Sequence, residues 1–264
     1  MTISVAIMAH PKRAPFVEAL QDELDLDDTH VVWDRHNDRH ETGLRSLQAY
    51  DPDATHHLVI QDDAVAAPHL LEALEEITSH QPDNPIGLYV GSARARTEYA
   101  RVPDHFNAAR AQGRTLLRML GPLRGVAICF PTVHLTELTT SYAANPRTKN
   151  YDRRISRWYM TVATRDTLYT VPSLVNHRPV AENPSLIEGR TGNRQAHWFC
   201  GDRSALEFDW SIEPWVARGE PGKRPPAEPR HLISFQHRSG GRRNAWEASS
   251  VARRLDLHPD WERA

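Results

Sequence analysis

Cysteine, lysine and long apolar runs are all scarce in this 264-residue chain. Cys129 and Cys200 are the only thiols. That excludes a disulfide scaffold and any zinc site built on cysteine, and it suits a reducing compartment. No window approaches the roughly 18 apolar residues of a membrane span. Residues 1–15 lack the basic start, long apolar stretch and small-residue cleavage site of a signal peptide. The expectation is therefore a soluble, cytoplasmic protein with no membrane insertion. Lys12, Lys149 and Lys223 are the only lysines among 32 basic residues, a bias that points to a GC-rich genome more than to a function. No internal repeat, low-complexity tract, P-loop, GxSxG or GxGxxG pattern occurs.

What is present describes an ordinary folded protein: 25% charged residues, 39% hydrophobic residues and seven tryptophans, with 19 prolines that call for many loops. The net charge of −2 taken alone argues against anionic partners, but it hides a segregation. Residues 18–83 hold 17 acids against three arginines. Residues 94–124 and 147–178 each carry seven basic residues against two acids, and residues 218–254 carry nine against three. This favours an anionic ligand or acceptor held by the later segments. The plainer reading is that oppositely charged surfaces dock on one another.

The run from Ile3 to Met8 is short, apolar and β-branched, and it leads through Ala9, His10, Lys12 and Arg13 into helical spacing over 16–24. A second strand over 29–33 ends at Asp34, before a polar loop and a helix over 43–50. The third strand, 56–61, runs into Asp62-Asp63, and a helix opening on Pro68 follows over 68–79. Residues 85–91 read as a fourth strand, and 123–131 as another. The alternation implies an α/β fold, a mostly parallel sheet with helices on both faces that binds ligands at the carboxyl ends of its strands. The Pro- and Gly-rich stretch 218–229 sets off a basic tail.

The strongest single feature is Gln61-Asp62-Asp63, a buried strand emerging into two carboxylates. Adjacent carboxylates suit a hard divalent cation that neutralises a diphosphate leaving group. They equally suit the capping of a following helix or turn. With the strand order around it, this feature resembles the nucleotide-sugar half of a GT-A glycosyltransferase, where an Asp-x-Asp or Glu-Asp-Asp motif stands at this place. The resemblance is closest to the small bacterial and phage enzymes related to lipopolysaccharide and collagen galactosyltransferases. Gln61 departs from that pattern, which has an acid there. A second matching stretch is Pro172-Ser-Leu-Val-Asn-His177, followed by Pro184-Ser185 and Gly189.

The resemblance implies a GT-A-like domain over residues 1–205 with a basic extension over 206–264. It implies that Asp63 and His177 ligate Mn²⁺ or Mg²⁺, with Asp62 helping the metal or the sugar, and that Ser185 and Gly189 shape a loop over the diphosphate. Ala9, His10, Lys12, Arg13, Asp34 and Gln61 fall on the nucleotide-sugar side. Asp152, between the two motifs, is placed as the base of an inverting transfer, and it reads equally as the N-cap of a helix over 153–159. Asp34 likewise reads as a turn cap, His36 and His40 as exposed residues, Cys129 as a core residue, and Trp198-Phe199 as core more readily than a sugar-stacking platform. The implied donor is a nucleoside diphosphate sugar, a UDP-sugar by preference. The implied acceptor is a hydroxyl, for which the basic segments suggest a hydroxylated base in phage DNA, in the host cytoplasm. A surface glycan is the alternative acceptor. From other classes, a nucleotidyltransferase needs a Gly-rich loop after the first strand, which His10-Pro-Lys-Arg13 is not. A non-catalytic nucleic-acid-binding module explains the arginines but not Gln61-Asp62-Asp63.

Overall fold

The structure is a computed structural model that describes residues 2–26, 30–91, 102–144, 151–178 and 194–217. Its first half follows the expected alternation. β1 (Ile3–Ala9) turns through one 3-10 turn, Pro11–Arg13, into α1 (Ala14–Leu24). β2 (His30–Trp33) leads to α2 (Arg39–Gln48), and β3 (His56–Gln61) to the short β4 (Ala64–Ala66) and α3 (Leu70–His80). α2 begins four residues earlier than its apolar pattern announces, because Asp38 caps it by accepting from the His40 and Glu41 amides. α3 starts at Leu70, two residues beyond Pro68, with His69 in the left-handed region at φ 59°.

The second half contributes β5 (Ile86–Gly87), α4 (Val102–Ala111), β6 (Leu116–Met119), β7 (Ala127–Pro131), α5 (Leu135–Ala143) and α6 (Tyr151–Arg157). A π-helical turn at Trp158–Val162 prolongs α6 before β8 (Thr167–Thr170), β9 (Val175–His177) and β10 (Trp215–Val216). The eight-stranded sheet has the order β10-β6-β8-β5-β7-β3-β1-β2. Pairs β1/β2, β1/β3, β5/β8 and β6/β10 are parallel, whereas β3/β7, β5/β7 and β6/β8 are antiparallel. The sheet is thus mixed with a parallel majority. β10 pairs with β6 and Trp210 is fully buried, so the folded unit runs past position 205, where the sequence placed its end.

Alternation along β3 assigns the helices to faces. Leu58 and Ile60 pack with Val17 and Leu20 of α1 and with Leu70, Leu74 and Ile77 of α3. Val59 points to the opposite core, with Leu47 of α2, Phe106 of α4, Leu138 of α5 and Ile155 of α6. The crossover β1-α1-β2 therefore covers one face and β2-α2-β3 the other. Close packing on the second face depends on glycine: a Cβ on Gly43 would stand 2.3 Å from the Tyr151 ring, and one on Gly125 2.7 Å from it.

Three histidines are buried away from the parallel strands' carboxyl ends. His57 bridges Ser4 Oγ and the Ser46 carbonyl, His56 faces the Pro82 carbonyl, and His134 Nδ1 lies 3.2 Å from the Tyr159 hydroxyl. Burial pushes all three below the ordinary imidazole range, His134 to about 4. The unfolded chain takes up protons at about 6.5 that the native histidines refuse, so stability is full above that pH and declines as pH falls toward 4. Urea denaturation between pH 7 and pH 4 should show this loss, and His134→Gln should flatten it. An unchanged slope in that variant would remove His134 as a contributor.

Candidate functional site

The direction of the crossovers reverses between β1 and β3. In a doubly wound sheet this switch point leaves a crevice at the strands' carboxyl ends. At that crevice β1 ends in Ala9-His10, β2 in Asp34 and β3 in Gln61-Asp62-Asp63. The three ends are stitched together: the Asp34 amide donates to the Ala9 carbonyl (2.7 Å), the Asp62 amide to the Met8 carbonyl (3.1 Å) and the Gln61 amide to the Val126 carbonyl (2.8 Å).

Asp62 and Asp63 are 3% and 2% exposed, so neither is a solvated turn residue. Asp62 accepts from the His10 amide at 2.7 Å through Oδ2 and from Arg13 Nη1 at 3.0 Å through Oδ1. Burial nevertheless pushes its carboxyl above the usual range, against the lowering effects of the His10 amide and Arg13. Asp63 Oδ2 lies 3.0 Å from Arg13 Nη1, 3.2 Å from Arg194 Nη1 and 3.4 Å from His177 Nδ1. The last pair is too poorly aligned for a hydrogen bond, and His177 Nδ1, in a residue 7% exposed, has no hydrogen-bond partner among the described residues. The helix-capping alternative fails, because no side chain caps α3.

His177 reaches Asp63 through a two-stranded antiparallel ladder. β4 follows Asp63 directly and pairs with β9, Ala64 opposite His177, while the Arg178 amide donates to the Asp63 carbonyl at 2.9 Å. Glu23 of α1 clamps both strands, accepting from the Ala66 amide and from Arg178 Nη2, each at 2.8 Å. Tyr89 packs edge-on against His177, with ring centroids 5.2 Å apart, and donates its hydroxyl to the Arg194 carbonyl. Asn176 Oδ1 accepts from the His177 and Ala196 amides, which holds the Arg194 segment beside β9.

The remaining expected residues divide. Asp34 spends Oδ1 on the His36 and Asp38 amides, so it does cap a turn, at the edge of the crevice. Lys12 is exposed, and its amide donates to His10 Nδ1. His36 pairs with Glu41 at the surface. Asp152 is the second residue of α6, where its carboxylate accepts from the Arg153 amide at 2.9 Å. A Cβ on Gly125 would come within 3.3 Å of the Asp152 Cβ, and the next residue, Val126, bonds Gln61, so α6 opens at the same end of the sheet as the acidic pair. Of the two arginines after it, Arg154 turns toward α5, donating to the Tyr142 carbonyl and lying over that ring. Cys129 is buried in the core, and Trp198 lies under the Arg110 guanidinium, 4.0 Å from ring centroid to Cζ. Ser185 and Gly189 lie outside the described residues.

Arg194, Glu23 and Tyr89 escape a reading of the sequence. Tyr89 alone had a signal, its place near the end of an apolar run. As to a metal, a carboxylate oxygen facing an unbonded buried imidazole nitrogen is a donor pair suited to Mn²⁺, and Asp63 and His177 fit that role. The fit is contested by Arg13 and Arg194, whose positive charge stands at the same oxygen. Among the described residues no group of three or more His, Cys, Asp and Glu is arranged to hold a metal ion, and no helix is long and apolar enough to cross a membrane. No protein-family model matches the chain and no curated protein does, so a functional reading has to rest on the geometry of these strand ends.

Proposed function

We propose that the chain is a glycosyltransferase that moves a sugar from a nucleoside diphosphate sugar, a UDP-sugar by preference, to a hydroxyl acceptor. The observation that carries this reading is the buried cluster of Asp62, Asp63, Arg13, Arg194 and His177 at the crevice between β1 and β3. Parallel α/β sheets bind nucleotides at such a place. Holding two carboxylates in a nearly water-free position costs stability that the fold alone does not require.

In this reading the nucleotide lies along Ala9, His10, Lys12 and Asp34, with Ser185 and Gly189 on the diphosphate. Gln61 and Asp62 face the donor sugar. Asp63 and His177 would hold Mn²⁺ or Mg²⁺, whose charge would neutralise the departing diphosphate. Arg13 and Arg194 offer guanidinium donors to the same phosphates, whose planar forks match phosphate oxygens. For inversion, Asp152 takes the proton of the attacking hydroxyl as the new glycosidic bond forms and the bond to the diphosphate breaks. The loop after β1 is a single Gly-free turn, which speaks against a nucleotidyltransferase.

For the acceptor, hydroxylated DNA is the substrate class we favour. Val90, Gly91, Pro103, Pro122, Arg124 and Tyr169 line a crevice at the same end of the sheet as Asp62 that is closed to a water-sized molecule, so an acceptor has to part these side chains to enter. Arg124 precedes Gly125, which abuts Asp152. A base within a duplex would have to be flipped out to reach this place.

Three measurements test the proposal. A thermal-shift screen should show stabilisation by a UDP-sugar, lost in Asp63→Asn. That variant also unfolds more easily, by about 3–5 kcal/mol, because it strands buried charge. No response of the wild type to any nucleoside diphosphate sugar would overturn the transferase. Asp152→Asn should keep donor binding while transfer falls about 100-fold or more; an undiminished rate removes the base. DNA binding should weaken steeply between about 50 and 200 mM salt, and a salt-insensitive or absent gel shift removes the DNA acceptor.

A further inference from the structure

Charge counting at the cluster leads beyond the list of ligands. Asp62 and Asp63 bring two negative charges and Arg13 and Arg194 two positive ones, all on side chains 11% exposed or less. Among the described residues these four charges cancel. A dication entering alone would leave two unbalanced positive charges in a poorly solvated place, next to guanidinium groups 3.0 and 3.2 Å from the oxygen it needs. The diphosphate of a nucleoside diphosphate sugar carries two negative charges. Dication and diphosphate arriving together restore the balance, provided that the guanidinium groups move from carboxylate to phosphate.

We propose that Arg13, supported by Arg194, is a charge gate on the cation site: it holds the place of the dication on Asp63 until a nucleoside diphosphate draws it away. This rests on the metal-binding role of Asp63 and His177 in the reading above. Two independent features of the site support it. Arg13 Nη1 lies 3.0 Å from an oxygen of each carboxylate, so its charge already stands at the Asp63 oxygen that a cation would need. The His177 nitrogen that faces Asp63 Oδ2 at 3.4 Å is buried and has no hydrogen-bond partner among the described residues, so none of them competes for it. The gate has a consequence for substrate use: free dication does not load the site, and the nucleotide arrives with its metal.

The test is a Mn²⁺ titration of the full chain, followed by the electron paramagnetic resonance signal of free Mn²⁺, with and without UDP. Wild type should bind Mn²⁺ weakly alone and at least about tenfold more tightly with UDP, and Arg13→Gln should bind Mn²⁺ alone at least about tenfold more tightly than wild type, a change set by removing one like charge near the ion. Asp63→Asn should abolish both. Equal or weaker Mn²⁺ binding in Arg13→Gln overturns the gate. Should Arg13→Gln fail to fold, Arg194→Gln carries the same expectation, and the wild-type comparison with and without UDP needs no variant. Mn²⁺ affinity that rises in Arg13→Gln in a protein that never binds UDP makes Arg13 a plain competitor for the cation and overturns the gate together with the transferase. UDP binding indifferent to Mn²⁺ in every protein removes the gate and leaves the transferase.

Discussion

Two carboxylates side by side at the end of a buried strand cannot both stay ionised unless positive charge is brought to them, and much of this structure is arranged around that requirement. Asp62 and Asp63 draw in the turn after β1, which supplies the His10 amide and Arg13, and a distant segment that supplies Arg194. Neither can be moved alone. Removing one partner of a buried pair leaves the other stranded, at a cost of about 3–5 kcal/mol, whereas replacing the whole set by well-packed apolar residues is often neutral or stabilising. A fold with stability as its only demand has no reason to keep such a cluster, and that asymmetry argues for a ligand.

Topology decides where the cluster can be. The reversal of crossover direction between β1 and β3 opens the sheet's carboxyl edge at one place, and the acidic pair stands on it. The β4-β9 ladder then does in space what no sequence spacing could do, setting residue 177 beside residue 63 through three paired positions. Glu23 fixes that ladder to α1 by holding one backbone amide on β4 and one guanidinium just beyond β9. On the other face Tyr151, wedged against Gly43 and Gly125, brings the start of α6 to the same edge.

These constraints differ in how far they can be read in advance. β3 is legible to the residue because a run such as Leu58-Val59-Ile60 buried on both faces has few other homes. The fourth expected strand, 85–91, shrinks to Ile86–Gly87: Leu88 still bonds the Ala127 carbonyl of β7, but its own carbonyl accepts from the Leu174 and Val175 amides and the Val90 amide goes to Ser173 Oγ. The antiparallel insertion of β7 between β3 and β5 leaves no local trace, since pairing direction is set by the connections. The acidic pair is visible as a motif, yet its arginine partners are not: Arg194 is one guanidinium among many until the fold places it.

The segregation of charge gains a physical meaning from burial. Of the 17 acids in residues 18–83, Asp62 and Asp63 are the two that the described structure buries, while the other described ones are at least partly exposed. Several later arginines are likewise engaged locally, Arg118 with Gln81 and Arg110 over Trp198. A regional excess of charge therefore identifies neither a site nor a partner by itself. What distinguishes Arg13 and Arg194 is that both are desolvated and both converge on one carboxylate oxygen, where each increment of charge acts through little water. In such a place affinity for a phosphate and affinity for a cation cannot be set independently, because whatever binds one must rearrange the charges that hold the other.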